Sequence, residues 1–246
     1  MKISTLANKT RNNPLIMHIN PVGLFSLNGN NYEDKIITFD NMLNAIQNAG
    51  GNIAIPAYSY SYTHNETYDL RNTPSKLDFL SEYLRKKNSS KRTSDPNFSY
   101  LLFGNNFSTR HYKVSDTDSF GTASLIDDIY NKDGYLGVIG GALEYLTEIH
   151  FIEKKLGVDY RFDKKFQGVT ISNSGEKKHT STTFFCRDLD LNYRGSLSQL
   201  KNDLISEKLL EEWTIDSNNL KMQVIRFRDI YDFIKDKIKS NPKYFW

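Results

Sequence analysis

"GYLGVIGGALEYLTEIHFIEKKLG", residues 134–157, is the stretch on which the fold turns. It opens as a short apolar run broken by glycines, the pattern of an inner strand, and closes with two lysines and Gly157, which are helix-stop signals. A buried strand followed directly by a helix is the unit from which layered α/β proteins are built. The same stretch places His150 three residues ahead of Glu153. In the first turns of a helix that spacing puts both side chains on one face, where they can touch. A carboxylate beside an imidazole fixes its tautomer and raises its basicity, which a general base working near neutral pH needs.

The alternation continues outward. "PLIMHI" is a short apolar run, "DNMLNAIQNAGG" spaces apolar residues as a helix ending at Gly50 and Gly51, and "NIAIPAYSYSY" reads as a second strand. "TPSKLDFLSEYLRKK" predicts a helix capped by Thr73 with Pro74 at its first position. "FSYLLFG" reads as strand and "SLIDDIYNKDG" as a short helix closed at Gly134, while "ALEYLTEIHFIEKKLG" carries a helix stopped at Gly157. Later the character changes. "FQGVTISNSGEKKHTSTTFFCRDL" predicts two strands around a Ser-Gly-Glu-Lys turn, and "SLSQLKNDLISEKLLEEWTI" one strongly amphipathic helix. "LKMQVIRFRDIYDFIKDKIKSNP" predicts a last strand and a last helix stopped by Pro242. With no repeat and no linker, the expectation is a single α/β domain over residues 1–246: a layered mixed β-sheet flanked by helices, with an appended antiparallel hairpin.

Composition narrows the function. Among 246 residues, 38% are apolar and 13% aromatic, enough large side chains to fill a substantial core. The 32 basic residues against 29 acidic ones are dispersed, whereas a protein that tracks phosphates concentrates its cations on one face, so no nucleic-acid partner is expected. The densest basic cluster, "RKKNSSKR" at residues 85–92, reads as a solvated helix end and loop. No apolar run approaches the roughly 18 residues of a membrane span, and "MKISTLANKTRNNP" lacks a signal-peptide core. No membrane partner and a cytoplasmic location are therefore expected. The single cysteine, Cys186, reads as a buried filler rather than a nucleophile.

Several chemistries find no footing. There is no G-x-S-x-G elbow for a serine hydrolase and no Walker loop, and Gly137, Gly140 and Gly141 lack the spacing of a dinucleotide turn. No His, Cys or carboxylate pair has metal-ligand spacing, so no metal is expected. His64, His111 and His179 stand alone in polar surroundings and read as solvated.

Collinear motifs supply a positive identification. "DGYLGVIGGALEYLTEIHFIEKKLGVDYR" resembles the signature of the aminoglycoside 3-N-acetyltransferase family: Asp-Gly, a glycine-rich apolar strand, Thr-x-x-His-x-x-Glu, then Tyr-Arg. "GGNIAIPAYSYSY", "NTPSKLDFLSEYLRKK", "RTSDPNFSY" and "FGTASLIDDIY" are similar, in the same order, to the family's other motifs, and the likeness spans roughly residues 15 to 165. The resemblance implies an enzyme that moves an acetyl group from acetyl-CoA to an amine on an amino sugar. A thioester is already activated, so the protein needs only to hold the reactants together, remove a proton from the attacking ammonium and stabilise the oxyanion. By position, His150 is the base, Glu153 its orienting acid, and Thr147 a hydroxyl near the developing oxyanion. His18, Arg92, Thr93, Ser99, Gly121 and Ser124 fall on positions expected near coenzyme A.

Departures from the pattern bear on the acceptor. Asp95 stands where the family has His before Pro96, Leu125 replaces a proline after Ser124, and "HINPVGLF" keeps His18 but alters the residues that follow. Tyr60, Asp69 and Asp95 are the candidate acceptor-binding residues, with Asp116 and Asp118 as further carboxylates. A polycationic antibiotic suits an acidic enzyme, whereas this chain carries +3 with a pI near 8.7. A less cationic amino sugar, carried on a nucleotide for surface-polysaccharide assembly, is therefore expected, with a homodimer admitted. The alternative is a non-catalytic relative that binds a sugar or a partner protein.

Overall fold

The computed structural model describes all residues except 28, 142, 144, 145, 192–196, 216–219 and 246. Along the chain run α1 (Ile3–Thr10), β1 (Leu15–Ile19), α2 (Tyr32–Asn48), β2 (Ile53–Pro56), β3 (Tyr68–Asp69), α3 (Phe79–Lys87), β4 (Tyr100–Phe103) and β5 (Thr117–Asp118). There follow α4 (Leu125–Asn131), β6 (Tyr135–Ile139), α5 (Ile149–Leu156), β7 (Arg161–Ile171), β8 (Lys177–Arg187), α6 (Ser198–Ser206), β9 (Glu211–Ile215), β10 (Leu220–Arg226) and α7 (Phe227–Ser240).

The main sheet has six strands in the order β4-β2-β1-β6-β10-β9. Its centre is parallel, β2-β1-β6, and both sides close with antiparallel strands. Because side chains alternate along a strand, β1 sends Leu15 and Met17 to one face and Ile16 and His18 to the other. The first face packs with residues of α1, α2 and α3, among them Leu6, Phe39, Leu43 and Leu84. The second packs with residues of α4, α5 and α7, among them Ile129, Phe151, Ile152 and Ile230. His18 thus points toward the layer that holds α5, and it does so at the carboxyl end of a central parallel strand, where open α/β sheets form their ligand crevices.

A second sheet, in the order β3-β7-β8-β5, is built on the predicted hairpin. The hairpin is more than an appendage, since β3 and β5 from the body add to its two edges in parallel. Tyr62 clamps the junction, its hydroxyl lying 2.7 Å from both Thr170 Oγ1 and Thr180 Oγ1.

Several local expectations are corrected. The run after Ile53 leaves the sheet at Pro56, and Tyr58 and Tyr60 line a cavity instead of continuing the strand. The third helix starts at Phe79, not at Pro74. Asp78 forms a capping box with Ser81, while the Thr73 hydroxyl is engaged by the Asp69 backbone N–H at 2.7 Å. The helix carrying His150 starts at Ile149; residues 142, 144 and 145 of its predicted span lie outside the described residues, and Gly157 ends it in the left-handed conformation at φ 69°. The long amphipathic helix is α6 alone, followed by β9, because Glu211–Ile215 pairs with β10. The glycines after β6 serve close approach: a Cβ on Gly140, whose φ is 64°, would lie 2.2 Å from Gly23 Cα. The basic cluster is not simply solvated, since Arg85 and Arg92 at its ends are buried. His111 is buried too, with Nε2 2.6 Å from Asp128 Oδ2. Cys186 is half-buried, and burial pushes its thiol up, away from reactivity. Among the described residues no helix is long and apolar enough to cross a membrane, and no group of His, Cys, Asp and Glu could hold a metal ion.

Candidate active site

α5 presents His150 in its first turn, with the side chain 27% exposed and Nδ1 2.8 Å from Glu153 Oε2. Glu153 is itself fixed: the Tyr160 hydroxyl donates to Oε1 at 3.1 Å, and Arg161 pairs with Oε2 at 2.7 Å. Burial would push the Glu153 carboxyl up, but the hydrogen bond and charge of His150, with the charge of Arg161, outweigh it and hold the group below its ordinary range. An ionised carboxylate on Nδ1 assigns the ring proton there and leaves Nε2 outward for a substrate proton. The edge of Phe120 meets the ring at 5.4 Å between centroids, steering it.

Two cavities border the segment that carries this imidazole, although His150 itself lines neither. The larger, about 430 Å³, is lined by His18, Tyr58, Tyr60 and Thr147 against apolar walls that include Ile55, Leu80 and Val138. Thr147 lies one turn before His150 and its carbonyl accepts the His150 backbone N–H, so α5 and this cavity meet. The smaller, about 200 Å³, has polar walls that include Asp95, Asp116, Asp118, Thr93 and Ser124. It adjoins the same helix, because Lys154, one turn after His150, pairs with Asp118 Oδ2 at 2.8 Å.

A buried chain of side chains runs in the wall between the cavities. Tyr58, on the larger cavity, donates to the Tyr100 hydroxyl at 2.8 Å, and Tyr100, on the smaller, donates to Glu148 Oε1 at 2.8 Å. Glu148 Oε2 lies 2.8 Å from His18 Nε2. Burial would push Glu148 up, but the charge and hydrogen bond of His18 dominate and hold it below the ordinary range. It also sits at the N-terminus of α5, where the helix dipole favours a negative charge. Burial and the charge of Glu148 push both tyrosines well up, so they stay phenols and donors.

The expected site residues divide. His150, Glu153 and Thr147 come together on α5 and the turn before it, and His18 and Tyr60 share the larger cavity. Thr93, Ser124 and Asp95 line the smaller one, with Gly121 packed against the Asp118 carboxylate. Arg92 and Ser99 are fully buried. Arg92 donates from Nε to Ser99 Oγ at 3.0 Å and from Nη2 to the Ala57 carbonyl at 2.8 Å, so these two frame the site from beneath. Asp69 lines neither cavity; it accepts the backbone N–H groups of Arg71 and Asn72 in a turn. Asp95, in the histidine's place, holds the backbone N–H groups of Asn97 and Phe98 at 2.9 Å, and burial pushes its carboxyl up. Sequence reasoning did not single out Tyr58, Tyr100 or Glu148, although all three lie inside its quoted motifs. It quoted Tyr160 and Arg161 in the motif without seeing that they hold Glu153.

The aminoglycoside 3-N-acetyltransferase family model matches residues 40–239. No curated protein matches the chain in sequence. Among solved structures, the fold is similar to that of the aminoglycoside acetyltransferase AAC(3)-IVa apoenzyme, at 18% identity and TM-score 0.65, covering 99% of this chain and 90% of that one. AAC-IIIb in its binary structure with CoASH is similar at 13% identity and TM-score 0.65, covering 98% of this chain and 97% of that one. AAC-VIa bound to sisomicin is similar at 13% identity and TM-score 0.65, covering 98% of each chain. With the family model covering most of its length, the chain belongs to the aminoglycoside 3-N-acetyltransferase family.

Proposed function

We propose that the protein transfers an acetyl group from acetyl-CoA directly to a ring amine of an amino sugar, with His150 as general base. The observation that carries this reading is the His150–Glu153 pair, an accessible imidazole whose Nδ1 is fixed by a buried, ionised carboxylate, on a helix whose neighbouring residues reach two cavities of different chemistry. The larger cavity suits the pantetheine arm of the acyl donor, an extended chain with apolar segments, and the similar structure of AAC-IIIb is a binary one with CoASH. The smaller, with three carboxylates in its wall, suits a cationic acceptor.

In this arrangement His150 Nε2 takes a proton from the acceptor ammonium, and the freed nitrogen attacks the thioester carbonyl. Glu153 stabilises the imidazolium so formed, and Tyr160 and Arg161 keep Glu153 from swinging away. Thr147, which lines the larger cavity next to α5, supplies the hydroxyl that stabilises the carbonyl oxygen. Asp95 is no obstacle to turnover, because its bonds rebuild the turn from within. A cytoplasmic location goes with this reading, since acetyl-CoA is made there.

The acidic cavity favours an aminoglycoside-type acceptor, while the net charge of +3 favours an amino sugar on an anionic nucleotide. Thiol release from acetyl-CoA, followed with a panel of both acceptor types, separates them: the expected result is acceptor-dependent turnover with at least one. Absence of turnover with every amine, together with no thermal shift by acetyl-CoA, would leave a non-catalytic binding protein as the reading.

A further inference from the structure

Acetyl transfer to an ammonium has a second proton problem at the sulfur, and the larger cavity holds a group able to solve it. His18 lines that cavity, on the sheet face that looks toward α5. Its Nε2 is held by Glu148, and Nδ1 bonds no other described residue, so Nδ1 is the nitrogen that a molecule in the cavity can reach. Glu148 is completely buried, and His18 is its only cationic partner among the described residues; its remaining oxygen accepts from the neutral phenol of Tyr100. A buried carboxylate is costly unless it is paired, and the His18 ring, 2.8 Å away, is the group placed to pair with it.

We propose that His18 is a second catalytic residue, a general acid that gives its Nδ1 proton to the departing thiolate, with Glu148 as the residue that positions it. This rests on the acetyl transfer proposed above. The protons balance as follows. The acceptor ammonium loses one proton to His150, its electron pair forms the N–C bond, and the nitrogen then sheds its second proton through His150 to water. The C–S bond breaks with its electron pair on sulfur, and His18 supplies the proton that makes the thiol. His18 is recharged from solvent, so ammonium and thioester become amide and thiol with one proton released. The two imidazoles are held by different carboxylates, Glu148 and Glu153, so the two proton transfers need not compete for one ring.

The test reads dependence on the leaving group, which a purely structural role would not change. An alkyl thiolate leaves faster when an acid protonates it, whereas the far less basic nitrothiophenolate gains little from one. The wild-type protein and His18→Gln, which keeps a neutral donor for Glu148, are compared with acetyl-CoA and with nitrothiophenyl acetate. The expected loss for His18→Gln is about a hundredfold with acetyl-CoA and only a few-fold with the aryl thioester. A second measurement uses acetyl-CoA alone: kcat of the wild type falls along an alkaline limb that His18→Gln lacks. The other titratable groups facing His18 are Glu148, Tyr100 behind it, and Tyr58, Tyr60 and Asp78 around the cavity, and none of these is changed by the substitution. Glu148→Gln should give the same pattern, more weakly. Equal losses with both thioesters, a retained alkaline limb, or no loss at all would overturn the proposal. Failure of the wild type with both thioesters would instead overturn the acetyl-transfer reading and this inference with it.

Discussion

The two imidazole–carboxylate pairs are built in opposite ways. His150 and Glu153 stand three residues apart on one helix, and the imidazole is partly open to solvent. His18 and Glu148 are separated by 130 positions, join β1 to the start of α5, and are both buried. The local pair costs the fold little and leaves its ring free for chemistry. The long-range pair is part of the packing, so whatever it does chemically it also does structurally.

The largest effect should come from breaking the buried pair. Glu148→Ala leaves His18 and the Tyr100 phenol without their partner, and unfolding in urea should show a loss of about 3–5 kcal/mol. The same measurement on His150→Ala should show a loss under about 1 kcal/mol, since a ring 27% exposed is not a core element. Equal losses would erase the contrast between the pairs.

Acid should weaken both pairs in the same sense. Glu148 and Glu153 are both held below the ordinary glutamate range, so each contributes stability that is whole above the unfolded value of about 4.3 and is lost as the pH falls through the lower folded value. Stability measured across that acid range should fall more gently for Glu153→Gln than for wild type. An unchanged slope would mean that Glu153 is not held by His150 and Arg161.

Smaller still is Tyr160→Phe, which removes one hydrogen bond to Glu153. It should cost about 1 kcal/mol in stability and lower kcat a few-fold with KM unchanged, as expected of a residue that positions the base. At the end of the scale, Asp69→Asn should leave turnover at the wild-type level, because Asp69 lines neither cavity. A rise in acceptor KM would return Asp69 to the binding site.

The contrast between the pairs also explains what the sequence disclosed. Period and stop signals are local, so β1, β6, the β7–β8 hairpin and the Gly157 stop were all legible, and so was the His150–Glu153 spacing. Where two local signals competed, tertiary contacts decided. Thr73-Pro74 and Asp78 both look like helix starts, and the Asp69 turn took the Thr73 hydroxyl. Residues 207–215 could continue an amphipathic helix, but a free edge on β10 drew Glu211–Ile215 into the sheet. Net charge does not describe the local distribution, because Asp95, Asp116 and Asp118 gather in one cavity of a slightly basic chain. Nothing local marks Glu148 as a partner of His18, since that contact exists only once the parallel sheet has brought β1 beside β6.

The central claim is that one imidazole on α5 takes the proton from the acceptor amine, and single-turnover acetyl transfer by His150→Ala tests it most directly. With acetyl-CoA and a productive acceptor both saturating, the rate should fall by about a hundredfold or more while the protein stays folded. Transfer at close to the wild-type rate would contradict the account.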